Sequence, residues 1–280
     1  MNGRLKTCLI AAGLAISGGA ALLADDAAVA ANPFPGQATQ YRGFARYDFE
    51  VDGCKAIVVC PKEALPGKPW IWRAEFFDAF PGVDVALLGK GFHLAYITVG
   101  NTFGCPDAMK HWDAFYKEMT GKYGLSKKPA LEGLSRGGLY IYNWASKNTD
   151  KVGCLFGDAP VCDFKSWPGG KGKGKGSPGD WQALLKCYHF GSEQEALDYK
   201  GNPIDNLKPI VEAKIPVIHI YGDSDDIVPH SENTNVIKER IEALGGTMTV
   251  IPKPGVGHHP HGLTDPTPVV DFILKNASGN

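Results

Sequence analysis

The chain has 280 residues, with 29 Lys and Arg against 30 Asp and Glu, so its formal net charge is −1. That balance gives no reason to expect nucleic acid or an anionic membrane surface as a partner. With 44% hydrophobic residues the chain is also outside the compositional range of disordered proteins, and its length suits one domain with a sizeable core, or at most two small ones.

The first segment in chain order reads as a targeting signal. MNGRLKTCLIAAGLAISGGAALLADDAAVAANPFPG places Arg4 and Lys6 ahead of apolar and small residues from Cys8 to Ala24, with an A-x-A-like site around Ala28, Val29 and Ala30. A secretory signal peptide over residues 1–30 is expected, leaving a mature domain over 31–280. The expected location is periplasmic or secreted, with no stable membrane association after cleavage. Cys54, Cys60, Cys105, Cys154, Cys162 and Cys187 would remain, an even set that permits disulfides but does not rank their pairings. No C-x-x-C pair occurs, which argues against a structural zinc site or thioredoxin-type chemistry.

FARYDFEVDG and KAIVVCP predict two strands joined by a turn at Asp52 and Gly53. KPWIWRA is a further strand, and EFFDAFPGVDVALLGKG suits a broken helix. FHLAYITV gives an apolar strand ending at Gly100 and Asn101. PDAMKHWDAFYKEMTGKYG opens on proline and spaces Met109, Trp112, Phe115, Tyr116 and Met119 as one helix face, with Gly121 and Gly124 as the stop. PALEGL is a short strand before Ser135, RGGLYIYNWASKN a helix after it, and VGCLFGDA the next strand. IPVIHIYGD and GTMTVIPKPG are two more, with the helical SENTNVIKERIEALGG between them. Alternating strands and helices predict an α/β fold with a mainly parallel central sheet flanked by helices. His93 and His111 are expected to be packing residues.

Residues 160–207 break this rhythm. The segment is long, rich in glycine and lysine and punctuated by tryptophans, and it predicts a cap-like insertion over the carboxyl ends of the strands. Its GGKGKGKGS run comes close to a phosphate-binding loop. However, Gly176 stands where Ser or Thr should follow Gly-Lys and no strand leads in, so a flexible basic loop is the better reading.

Gly133-Leu134-Ser135-Arg136-Gly137 matches G-x-S-x-G, in which a tight strand-to-helix turn presents a serine hydroxyl at a helix N-terminus. Such a hydroxyl is a poor nucleophile until a base takes its proton and an acid orients the base. In the chain order of this architecture the acid comes next, and VIHIYGDSDDIVP offers Asp223, Asp225 and Asp226 after an apolar strand. Asp225 sits in the preferred register, three after Gly222 and three before Val228. TMTVIPKPGVGHHPHGL then offers His258, His259 and His261, of which His258, directly after Gly257, is the expected base. These histidines are not expected to bind metal, because side chains so close in sequence rarely converge without a turn or helix to aim them.

The Ser135 elbow, the YGDSDDIVP turn and the GVGHH turn, in that order, resemble the α/β-hydrolases over roughly residues 44–274. In these core motifs the chain looks most like the dienelactone-hydrolase and prolyl-oligopeptidase-like esterases. The dienelactone type often carries cysteine where this chain has Ser135, so its substrate is not carried over. The resemblance implies a Ser135–His258–Asp225 triad and an oxyanion hole with one donor at the Arg136 N–H. The second donor would come from the WRAEFF loop, at Ala74 or Glu75, since the H-G-G-G form is absent. Glucuronoyl esterases share the Ser-Arg dipeptide, so the Arg136 side chain either serves catalysis or pairs with Asp158 or Asp163.

The expected activity is therefore serine-dependent hydrolysis of carboxylic esters, including carbohydrate-linked ones, with no cofactor. The partner would be a small-molecule or glycan ester, with Asn101, Trp167 and Trp181 as candidate substrate-binding residues. A peptidase of the prolyl-oligopeptidase type and a non-catalytic binding module are the alternatives.

Overall fold

The computed structural model describes residues 1–3 and 33–278. The signal segment expected over 1–30 lies, apart from residues 1–3, outside the described residues. Among the described residues no helix is long and apolar enough to cross a membrane.

The N-terminal strands form an antiparallel meander, in which β1 (Thr39–Tyr41) pairs with β2 (Phe44–Val51) and β2 with β3 (Cys54–Cys60). Asp52 and Gly53 close the second hairpin as a two-residue loop with φ of 51° and 74°. Positive φ at both positions matches the twist of the flanking strands, and Asp-Gly accepts it at little cost.

Strand and helix then alternate through β4 (Trp70–Ala74), α1 (Gly82–Gly89), β5 (His93–Ile97), α2 (Pro106–Lys117), β6 (Ala130–Leu134), α3 (Gly137–Ala145) and β7 (Cys154–Asp158). An excursion carries α4 (Pro178–Cys187), α5 (Glu193–Asp198) and α6 (Lys208–Glu212). After it come β8 (Val217–Gly222), α7 (Thr234–Ala243), β9 (Thr249–Lys253) and α8 (Thr267–Ala277). The nine strands form one sheet in the order β1-β2-β3-β5-β4-β6-β7-β8-β9, parallel from β5 to β9.

Every residue of β4, β6 and β7 is buried, as strands covered on both faces must be. On one face α1 and α8 pack Val83, Leu87, Val269 and Ile273 over Ile71, Leu94 and Phe156. On the other, Trp112, Phe115, Leu139 and Ile237 of α2, α3 and α7 meet Trp72, Leu131 and Leu155. Trp72 stacks on Trp112 with ring centroids 4.2 Å apart.

Three local expectations change. Only the second half of the broken-helix segment is helical, while Glu75, Phe76, Asp78 and Phe80 ahead of α1 all take positive φ. After α2 the chain makes a π-helical turn, Glu118–Lys122, so Gly124, at φ 66°, ends the helix rather than Gly121. His93 is buried as expected, but His111 is half-exposed and its Nδ1 lies 2.8 Å from Asp52.

The excursion forms a cap whose Phe164, Trp181, Tyr188 and Tyr199 pack together, continuous with the core around Trp112 and Leu139. Lys175 ties it to Asp226 at 2.5 Å, and Ser166 donates to Glu232 at 2.7 Å. The phosphate-loop look-alike wraps a carboxylate instead, since the Lys173 N–H donates to Glu232.

A buried histidine on β8 gives this fold a testable acid sensitivity. His219 is fully buried between the Tyr142 hydroxyl at 2.8 Å and the Thr234 hydroxyl at 3.1 Å, and burial pushes its imidazole down to about 3. The unfolded chain takes up that proton near pH 6.5, so the unfolded state binds more protons between the two values. Stability is therefore intact above about pH 6.5 and falls as the pH drops toward 3. From this group alone a loss of about 3 kcal/mol is expected between pH 7 and 4. Melting curves across that range check it, and His219→Gln should flatten the dependence.

Candidate active site

Ser135 occupies the turn between β6 and α3 with φ of 47°, a left-handed conformation unusual for a residue with a side chain. The backbone holds it there: its N–H donates to the Asp158 carbonyl at 2.9 Å, and its own carbonyl accepts from Val161 at 2.8 Å and Gly138 at 3.0 Å. The flanking glycines are a packing requirement. A Cβ on Gly133 would stand 2.6 Å from the Gly137 carbonyl oxygen, and one on Gly137 would stand 2.7 Å from that of Ala74. The elbow thus closes against the end of β4, which brings the 74–76 loop beside the serine.

Ser135, His258 and Asp225 lie far apart in sequence and meet in space. The Ser135 hydroxyl is 3.0 Å from His258 Nε2, and His258 Nδ1 is 2.7 Å from Asp225 Oδ2. All three are buried, at 9%, 8% and 6% exposure. Asp225 Oδ1 accepts from the N–H groups of Ile227 and Val228, both at 2.9 Å. Burial pushes its carboxyl up, but the bonds from His258, Val228 and Ile227 outweigh this and hold it below the usual carboxylate range. The two competing aspartates are engaged elsewhere. Asp223 accepts from Gly255 N–H at 2.7 Å, and Asp226 pairs with Lys175.

Arg136 does not pair with Asp158 or Asp163. Its Nε donates to Glu75 Oε2 at 3.1 Å, and Asp180 of α4 lies 3.8 Å from its Nη1. Glu75 Oε1 accepts from the Tyr140 hydroxyl at 2.6 Å, and the Tyr140 oxygen accepts from Thr102 N–H at 3.0 Å. Phe76 and Phe103 lie beside the guanidinium, at 4.8 and 5.9 Å from their ring centroids. Asp158 instead accepts from Gly262 N–H at 2.6 Å and faces His261 Nδ1 at 3.1 Å, while Asp163 accepts from Lys165 N–H at 2.9 Å. Arg136 caps α3 and Tyr140 follows four residues on, so one side of the helix carries both partners of Glu75. Nothing in the local sequence of Tyr140 points to Glu75.

A cavity of about 640 Å³ opens beside this group, lined by Arg136, Asn101, Thr102 and His111 among others. Asn101, at φ 57°, is exposed on its rim, where sequence placed a substrate contact. Trp181 is a correction. It is 5% exposed and packs on Phe164, so it serves the core. Trp167 is half-buried near Phe103, and neither tryptophan lines the cavity.

The three histidines do converge, contrary to the sequence expectation. Ligand atoms of His258, His259 and His261 all lie within 4.8 Å of one another. A cation bound there would compete for His258, whose two ring nitrogens face Ser135 and Asp225.

No family model matches the chain, and no curated protein matches it by sequence. Solved structures do match by shape. The acylaminoacyl peptidase of Pyrococcus horikoshii aligns with a TM-score of 0.65 at 13% identity, covering 85% of this chain and 42% of that one. A puromycin-hydrolyzing peptidase of Mycobacterium tuberculosis gives 0.62 at 14% identity, covering 84% and 40%. Dipeptidyl peptidase 4 of Porphyromonas gingivalis gives 0.58 at 14% identity, covering 85% and 36%. The chain thus spans less than half the length of each. Its strand order, its helices on both faces and these likenesses together show that the chain has the α/β-hydrolase fold.

Proposed function

We propose that the chain is a serine hydrolase that cleaves acyl bonds through a covalent acyl-enzyme. The observation that carries this reading is the continuous Ser135–His258–Asp225 relay, at 3.0 and 2.7 Å, on a backbone-strained elbow. Ser135 Oγ attacks the substrate carbonyl while His258 Nε2 takes its proton. His258 then returns that proton to the leaving group, and water discharges the acyl-enzyme by the same route. Asp225 keeps the His258 proton on Nδ1. The Arg136 N–H at the head of α3 is one oxyanion donor. Glu75 N–H is the better second candidate, because Ala74 is still paired with Gly133 inside the sheet.

A peptide bond is the favoured scissile group, since the structures of similar shape bear the names of peptidases. A carboxylic ester is the second reading. Its alcohol leaves more readily than an amine, and Asn101, Thr102 and Arg136 on the wall of the open cavity offer polar groups that a sugar-linked ester would need. Export, resting on the pattern of residues 1–30, belongs to the same proposal.

The test is a matched pair of substrates with one acyl group, a p-nitrophenyl ester and a peptide p-nitroanilide, alongside an alkyl fluorophosphonate probe. Labelling of Ser135 with turnover of both substrates is the expected result. Turnover of the ester alone selects the esterase reading. No label on Ser135, with equal turnover by wild type and Ser135→Ala, replaces the hydrolase with a binding module.

A further inference from the structure

All six described cysteines are thiols, but two of them are set apart by position. Cys105 is the residue before Pro106 at the head of α2, is 2% exposed, and donates its N–H to the Thr102 carbonyl at 2.9 Å. Cys187 ends α4 in the cap, is half-buried, and its thiol reaches the same Thr102 carbonyl at 3.2 Å. Both residues thus bond one carbonyl, which sets their side chains next to each other. We propose that Cys105 and Cys187 are a disulfide-forming pair that fastens the cap to the head of α2, next to the cavity beside Arg136.

The contact also polarises the pair. The bond from Cys187, together with the backbone N–H groups of Ala108 and Asp107, holds the Cys105 thiol down to about 6 against burial. The same contact, with burial, pushes Cys187 up. Cys105 is buried, and Cys187, half-buried at the end of α4, is the sulfur open to a reagent. Cys154 and Cys162, by contrast, are fully buried, and burial pushes both up.

The reaction is thiol–disulfide exchange with a small disulfide such as oxidised glutathione. Cys187, giving up its proton, attacks one glutathione sulfur, and the expelled glutathione leaves as a thiol. The Cys105 thiolate then attacks the Cys187 sulfur and expels the second glutathione, which is protonated by solvent. One protein S–S bond forms, one external S–S bond breaks, and the protein sulfurs are oxidised as glutathione is reduced.

This proposal does not depend on the proposed hydrolase activity. The purified chain is equilibrated with oxidised glutathione, quenched in acid, unfolded, alkylated with N-ethylmaleimide and mapped as non-reduced peptides. The expected product is a Cys105–Cys187 linked peptide, with a rise in melting temperature on the order of 10 °C that dithiothreitol reverses and Cys187→Ala lacks. Three results overturn it: both cysteines alkylated, a bridge to a different cysteine, or glutathione retained on either sulfur at equilibrium.

Discussion

Ser135→Ala is expected to lower kcat by a factor on the order of 10⁵–10⁶ while leaving the melting temperature nearly unchanged. The two effects separate because the elbow is held by backbone bonds. Ser135 N–H to Asp158, Val161 N–H to Ser135 and Gly138 N–H to Ser135 all survive loss of the hydroxyl. Alanine also takes the φ of 47° at about the cost serine already bears. The hydroxyl itself contacts His258 Nε2 at 3.0 Å, so its removal deletes the nucleophile and one hydrogen bond. Asp225→Asn should cost less, about 10⁴ in kcat, because an amide facing Nδ1 favours the wrong tautomer but leaves nucleophile and base in place. Combining Ser135→Ala with His258→Ala should be hardly worse than either alone, as members of one relay are not additive. Steady-state kinetics of the four variants, His258→Ala alone included, with melting curves, check the set. A Ser135→Ala enzyme within tenfold of wild type would show that the relay is not the engine.

The triad positions were legible because each stands in a short segment with its own local physics. The glycines around Ser135 answer to steric contacts within the elbow and with the adjacent end of β4. Asp225 and His258 each follow a strand whose apolar run is plain in the sequence. What surrounds them was not legible. Glu75 is 61 residues from Arg136 and 65 from Tyr140, and only the pairing of β4 with β6 brings them together. Asp158 and Asp163 were plausible partners for Arg136 by sequence distance, but Gly262, His261 and Lys165 had already engaged them. Trp181 stood as a candidate substrate contact by residue type, because nothing local shows that the excursion extends the core and buries it. β1 has three residues, two of them exposed, too few for a period to show. The helix α8 is absent from the predicted elements although Val269, Val270, Ile273 and Ala277 mark a helical face in the sequence itself.

Arg73→Met is expected to destabilise the protein by about 3–5 kcal/mol and, separately, to lower kcat/KM by roughly 10²-fold or more. Arg73 lies on β4 with no exposed surface, its Nη1 2.5 Å from Asp84 and 3.2 Å from Glu132. Burial alone would push the guanidinium down, but the charges of Glu132 and Asp84 outweigh it and raise it. Burial likewise pushes the Glu132 carboxyl well up, against the pull of Arg73. Removing the cation leaves two buried carboxyls facing each other, which is the source of the stability loss. The kinetic loss has another origin. Arg73 Nε donates to the Phe76 carbonyl at 3.2 Å and Nη2 donates to that of Ala79. These bonds pin the loop in which Glu75, Phe76, Asp78 and Phe80 all take positive φ, and which carries the second oxyanion candidate. The triple change Arg73→Met, Asp84→Leu and Glu132→Leu separates the two effects. It removes every charge from the cluster and should recover much of the stability. It leaves the Phe76 and Ala79 carbonyls without their donor, so kcat/KM should stay low. Recovery of both together would mean that the loop needs no anchor and that Arg73 serves stability alone.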